Sequence, residues 1–280
     1  MADSSAPQAD SGWRAELELG FTGRGGRTVL SHRRHQGPLR VQRPFYPEGG
    51  VCHVYVVHPP GGVVGGDRLE LRVDCRDGAH ALLTTPAAGK FYRSGERPQR
   101  QLVSLNLQDS TLEWLPQETI YYPGATVRQQ LELHLDGASR FIGWEVGCLG
   151  LPARGEGFAS GTVTQGFELW LDQRPLLLDR LRLDAGAGTP DAPWGLGGHT
   201  VLGTIVAYPA VQADLEAALG AAQIEEGEGR FGLSLVDGVL VGRCLGHQAE
   251  RVRQSFAALW QALRPRLLGR PAQAPRIWAT

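Results

Sequence analysis

Lysine is almost missing from this 280-residue chain: Lys90 stands alone among 27 arginines. A chain-wide preference for arginine reflects genome composition and carries little physics. The surviving lysine marks a position that wants a compact ammonium on a flexible stem. Long apolar runs are also lacking, so no segment reads as a membrane-spanning helix. Met1 to Gly12 is small and polar, with Asp3 and Asp10, and reads as a frayed tail rather than an export signal. An excess of charge is absent too. A formal net charge of -1 argues against a sequence-independent nucleic-acid binder, which needs cations to displace counterions, and points to no membrane surface. The four cysteines, Cys52, Cys75, Cys148 and Cys244, form no C-x-x-C pair, which leaves a structural zinc site unsupported. Without an export signal they are expected to be buried free thiols in a reducing, cytoplasmic setting.

Nucleotide and nucleophile motifs are missing as well. Gly89-Lys90 looks like the end of a phosphate loop, but Thr84 occupies the place of the required glycine and Phe91 that of the magnesium-binding hydroxyl. Gly61 to Asp67 does not match the dinucleotide fingerprint, and a strand follows it where a helix is needed. It reads instead as a glycine-lined turn. Neither Ser94 nor Ser160 has the flanking glycines of a nucleophile elbow. A hydrolase site assembled from distant residues stays open, with nothing to select it.

What is present is two-residue periodicity. Trp13 to Phe21, Leu69 to Asp74 and Leu131 to Asp136 alternate apolar with charged residues, as half-buried strands do. Val51 to Val57 is continuously apolar and reads as covered on both faces. Further strands are read at Gln101–Leu107, Phe141–Val146, Phe167–Leu171 and Leu176–Leu183, and Asp237-Gly238 reads as a hairpin turn. Helices gather toward the end. Val211, Leu215, Leu219 and Ala222 form one stripe; Val252, Phe256, Leu259, Trp260 and Leu263 form another, from His247 to a stop near Pro265. Asp184 to His199, rich in Gly, Pro and Ala, reads as a long mobile loop. The expectation is a mainly β protein, a tail over 1–12 and a single domain over 13–280.

Candidate metal ligands lack diagnostic spacing. Cys52 and His53 are adjacent, so a strand sends them to opposite faces. Cys52 and His58 share a face but stand roughly 20 Å apart along an extended chain. His32 and His35 converge only in a turn or helix. Arg24 to Arg43 holds six arginines, two histidines and no carboxylate. Either a solvated basic face or a docking surface for an acidic partner accounts for it. Phe45, Tyr46, Tyr121 and Tyr122 are candidate exposed aromatics for the same purpose.

Gly37-Pro38-Leu39, Arg43 to Glu48, His58 to Asp67, Thr84 to Ser94, Leu112 to Glu118, Trp144-Glu145, Cys148 to Glu156 and Pro275 to Trp278 follow one another along the chain. In that order these blocks resemble the UreD (UreH) family of urease accessory proteins. Lys90 lies within the block that resembles the family's K-x-Y-R-S. Leu151 departs from the pattern, because family members often carry arginine there; Arg154 lies nearby. The resemblance implies stacked, β-helix-like sheets with a few mostly C-terminal α-helices. It also implies a non-enzymatic chaperone for nickel insertion. Such a protein binds UreF, reaches the GTPase UreG through it, and docks on apo-urease, with room for a homodimer within the complex. No tightly bound cofactor is expected, and nickel would be in transit. Asp67, Glu145 and Asp179 are the passage-lining acids carried over by the resemblance; a salt bridge or a turn cap is the rival role for each. The alternative function is a metallochaperone with its own tight nickel site, in which Cys52 or His53 would take part.

Overall fold

The computed structural model describes residues 12–222 and 229–279, so the expected tail lies outside the described residues apart from Gly12. Alternating sequence becomes strand. The first nine strands are β1 (Arg14–Arg24), β2 (Arg27–Gln36), β3 (Arg40–Val41), β4 (Cys52–Val57), β5 (Arg68–Arg76), β6 (His80–Thr84), β7 (Gly89–Phe91), β8 (Gln99–Leu107) and β9 (Thr111–Trp114). There follow β10 (Thr119–Tyr121), β11 (Ala125–Leu135), β12 (Arg140–Leu149), β13 (Gly161–Leu171), β14 (Arg174–Asp184) and β15 (Val201–Tyr208). Helix α1 (Gln212–Ala221), the hairpin β16 (Gly229–Val236) and β17 (Val239–Gly246), and helix α2 (Ala249–Leu268) complete the order.

Among the described residues these strands form two sheets. One runs β14-β13-β11-β8-β5-β1-β2; the other runs β16-β17-β15-β12-β9-β6-β4-β3, with β10 joining β12 and β7. From β4 to β13 the chain passes back and forth between the sheets, and strands of successive coils pair in parallel. The result is a stacked, solenoid-like, mainly β fold. In-register pairing puts like residues on like. Leu19, Val73, Leu105, Leu133 and Leu169 make one buried rung across five strands. Burying each such side chain is worth about 1.5–3 kcal/mol. A slip of one residue would turn every rung to the outside, so the apolar pattern specifies the register.

A second core lies on the outer face of the larger sheet. There Val252, Phe256, Leu259, Trp260 and Leu263 of α2 pack on Ile142, Trp144 and Ile205. Gly203 on β15 makes this approach close, because a Cβ there would lie 2.7 Å from the Phe256 ring. Strand β4 is covered on both faces, as its continuous apolar run predicts.

Four expectations need correction. Helix α2 does not stop near Pro265 but runs on to Leu268 and ends at Gly269, whose φ of 65° is left-handed. Pro265 is exposed, and Gln261, whose carbonyl loses its donor, is exposed as well, which leaves that carbonyl open to solvent. In α1 the buried residues are Asp214 and Ala218, whereas Val211 and Leu219 of the expected stripe are exposed. Asp214 sets that orientation: it accepts from the Val211 N–H at 2.9 Å and from Arg266 at 2.7 Å. The segment read as a long loop, Asp184 to His199, is a series of hydrogen-bonded turns pinned by buried Leu196. Tyr121, a candidate exposed aromatic, is fully buried.

Candidate functional site

Strand alternation divides β12 between two environments. Trp144, Val146 and Cys148 face α2, and Glu145 points to the interior between the sheets. There Glu145 borders two cavities. One, of about 390 Å³, reaches Asp179, Arg180, Arg230 and Arg243. The other, of about 360 Å³, extends past Gln101 and Gln129 to Thr119, Lys90 and His58. Gln165 is the other polar residue that borders both. Glu145 and Gln165 therefore stand in the wall common to the two spaces. Burial raises the Glu145 pKa, to about 7, and no charge or hydrogen bond among the described residues opposes it. The residue keeps some accessible surface, which fits a carboxylate facing cavities rather than packed side chains.

The other two acids carried over by the resemblance are engaged elsewhere. Buried Asp67 accepts the Trp13 N–H at 2.8 Å and the Val64 N–H at 3.0 Å, bracing the glycine-rich turn between β4 and β5. Gly66 in that turn has a φ of 92°, which an L side chain rarely adopts. Asp67 also acts on half-buried His58, where burial lowers the imidazole pKa and the nearby carboxylate opposes that shift. Asp179, on β14, accepts from Arg243 at 2.6 Å beside the larger cavity. The fold thus brings Glu145 and Asp179 to one cavity and uses Asp67 to shape a turn.

The sequence reading missed the most densely paired polar group. Arg264 is completely buried between two carboxylates. Its guanidinium donates to Glu48 at 2.7 and 2.8 Å, to Glu113 at 2.9 and 3.0 Å, and to the Pro271 carbonyl. Glu113 also accepts from Trp260 Nε1 at 2.6 Å and pairs with His80 Nε2 at 2.7 Å, while His53 Nε2 pairs with Glu48 at 2.7 Å. Burial works to raise the Glu48 pKa, yet the bonds from His53 and Arg264 prevail and hold it at about 2. Glu113 is likewise lowered, by His80 and Arg264 against burial. A signal was available: arginine falls on the apolar stripe of α2, and glutamate interrupts the apolar run Leu112–Leu115.

The remaining candidates are dispersed. Cys52 packs in the inner core, and His53 is on the other face of β4 with Glu48. His32 and His35 lie on exposed β2, opposite Gly20 and Leu17, and so on opposite faces. Among the described residues, no group of three or more His, Cys, Asp or Glu side chains is placed to hold a metal ion. The basic segment is the edge strand β2, exposed from Ser31 to Gln36, where Arg34 and His32 approach Glu18. Arg27 sits over the Tyr46 ring at 3.6 Å. Phe45, Tyr46 and Tyr122 are half-buried.

Residues 14–279 match the family described as UreD urease accessory protein. The chain belongs to that family. It is 45% identical to the urease accessory protein UreD of Dechloromonas aromatica, over 99% of this chain and 98% of the relative. It is 42% identical to the protein of that name from Klebsiella aerogenes, over 98% and 99% of the two. The relative from Pseudomonas putida shares 45%, over 97% and 96%. In this UreD chain the Thr84 to Ser94 block supplies wall to the smaller cavity, and Trp144-Glu145 supplies part of the wall common to both cavities. The blocks containing Glu48 and Glu113 supply the carboxylates around Arg264. Among the described residues, no helix is long and apolar enough to cross a membrane.

Proposed function

We propose that this UreD-family chain is a non-enzymatic, cytoplasmic maturation factor that works with UreF and, through it, the GTPase UreG. It docks on apo-urease and guides nickel through its interior. The carrying observation is that Glu145, a carboxylate for which no salt bridge is formed among the described residues, lines two cavities at once. A dication in a low-dielectric interior needs oxygen or nitrogen partners along its route. One carboxylate with a pKa of about 7 suits transfer better than storage. Near neutral pH it exchanges a proton for the ion, and a single charged ligand releases the ion again. Asp179 stands by the route with Arg243, whose guanidinium competes with a passing cation for the carboxylate.

Tight storage at Cys52 and His53 has less support, since the two donors lie on opposite faces of β4. Calorimetry separates the readings: sub-micromolar stoichiometric nickel binding, lost on changing Cys52 or His53, would favour a carrier. The test of the passage is urease nickel content in a strain carrying Glu145→Ala, with pull-down of the UreF and urease partners as a control. Low nickel with an intact complex is expected. Full nickel with an intact complex would reject the passage, and fully active urease in a deletion strain would reject the maturation role.

A further inference from the structure

Most rungs of the inner core are apolar along their whole length. Leu17, Leu71, Val103, Leu131 and Phe167 stack across β1, β5, β8, β11 and β13. Two residues earlier on each strand, the rung reads Ala15, Leu69, Gln101, Gln129 and Gln165. Halfway across the sheet it changes from hydrocarbon to amide. Interior amides without partners are costly, so such a change persists where the groups are paired or used.

The three amides are joined by one phenol. Gln165 Nε2 donates to Tyr121 Oη at 2.9 Å, the Tyr121 hydroxyl donates to Gln129 Oε1, and Gln129 Nε2 donates to Gln101 Oε1 at 2.7 Å. All three bonds run in one direction. Each donor is committed toward Gln101, so the Gln165 carbonyl oxygen is left as an acceptor at the other end. Tyr121 itself is firmly held. Its ring stacks on Phe91 with centroids 5.9 Å apart, and it fills the space beside Gly147, where a Cβ would lie 3.0 Å from the ring. Gly147 is two residues from Glu145 on the same face of β12, so the phenol, Gln165 and Glu145 are neighbours. Burial raises the Tyr121 pKa, and the Glu145 charge adds to the shift, consistent with that proximity.

We infer that Glu145 and the Gln165 carbonyl form a transit site for a divalent cation at the wall common to the two cavities, with Tyr121 as the positioning residue that keeps the amide oxygen turned toward it. This rests on the passage reading above and adds a second ligand and its means of orientation. One carboxylate and one amide oxygen, with water filling the other positions, suit a hard or borderline dication held briefly. Gln129 and Gln101 extend the chain and fix the direction of its bonds.

The test uses the full maturation complex assembled on apo-urease. Nickel sulfate is added, and metal incorporated into urease is followed over time by mass spectrometry. Tyr121→Phe keeps the ring and its stacking but removes the hydroxyl, so the Gln165 amide can turn. Loss of such an orienting partner is expected to slow transfer about tenfold. Gln165→Leu should slow it at least as much. Adding Gln165→Glu to Tyr121→Phe should restore much of the rate, because a carboxylate presents oxygen at both ends. Lost packing alone would not be repaired in this way. Thermal midpoints and complex assembly are measured beside the rates, and the volume-conserving Tyr121→Phe decides if Gln165→Leu fails to fold. Parental rates in Tyr121→Phe and Gln165→Leu, with Glu145→Gln impaired, overturn the inference and leave the passage standing. Parental rates in all three overturn both. A slow Tyr121→Phe that Gln165→Glu does not rescue overturns the positioning role.

Discussion

Replacing Arg264 with methionine removes the one guanidinium between Glu48 and Glu113 and keeps much of the side-chain volume. Among the described residues, both carboxylates then lie buried with His53, His80 and Trp260 as their remaining side-chain partners. Breaking one side of a buried ion pair typically costs about 3–5 kcal/mol. The held-down Glu48 agrees in direction, since the bonds from His53 and Arg264 together keep its pKa at about 2 against burial. We expect Arg264→Met to lower stability by about 4 kcal/mol at pH 7, a drop of roughly 10 °C in thermal midpoint for a chain of this size. The pH dependence follows from sign. Carboxylates depressed in the folded state stabilise it fully above their unfolded pKa near 4.5, and lose that contribution as pH falls toward 2. The gap between parent and variant should therefore narrow on acidification. Urea unfolding at pH 7 and pH 4 measures it. Adding Glu113→Leu should recover part of the loss, because one of the two stranded carboxylates is then gone and Glu48 keeps His53. A variant within 1 kcal/mol of the parent at pH 7, or a gap that widens in acid, would refute the account.

Other features give separate expectations. Glu145 has a raised pKa, so its ionisation should destabilise the fold as pH rises from 4.5 through about 7. Glu145→Gln should match the parent at pH 4.5 and exceed it by about 2 kcal/mol at pH 8, after allowance for water in the cavities; equal stability at both values in urea titrations would contradict the assigned pKa. All four cysteines are buried, and burial pushes the thiols of Cys52, Cys148 and Cys244 up to about 11 and that of Cys75 higher still. A chromogenic disulfide reagent at pH 8 should find them slow to react until denaturant is added, and a rapid stoichiometric reaction in the native state would show them accessible. Gly203→Ala should cost about 1–3 kcal/mol by pushing Phe256 and α2 off the sheet. Near-ultraviolet circular dichroism of the Trp144, Trp260 and Trp278 cluster would report that movement, and an unchanged spectrum with parental stability would count against it.

Local chemistry was legible from the sequence wherever it depends on neighbours along the chain. Two-residue alternation marked β1, β5 and β11, the spacing of Val252 to Leu263 marked the buried face of α2, and Asp237-Gly238 marked the β16–β17 turn. Ordered blocks carried the family. Tertiary structure decided the rest, because pairing and burial depend on contacts far apart in sequence. It selected Glu145 as the carboxylate that lines two cavities, and it gave Asp67 to a turn and Asp179 to Arg243. It aligned Gln101, Gln129 and Gln165, which no local pattern joins. It also turned Arg264 from one of 27 arginines into the buried counter-charge of Glu48 and Glu113. An ionisable side chain acquires its role from what excludes water around it and which charge it meets there. Both are properties of the assembled coils, and neither can be read from one strand.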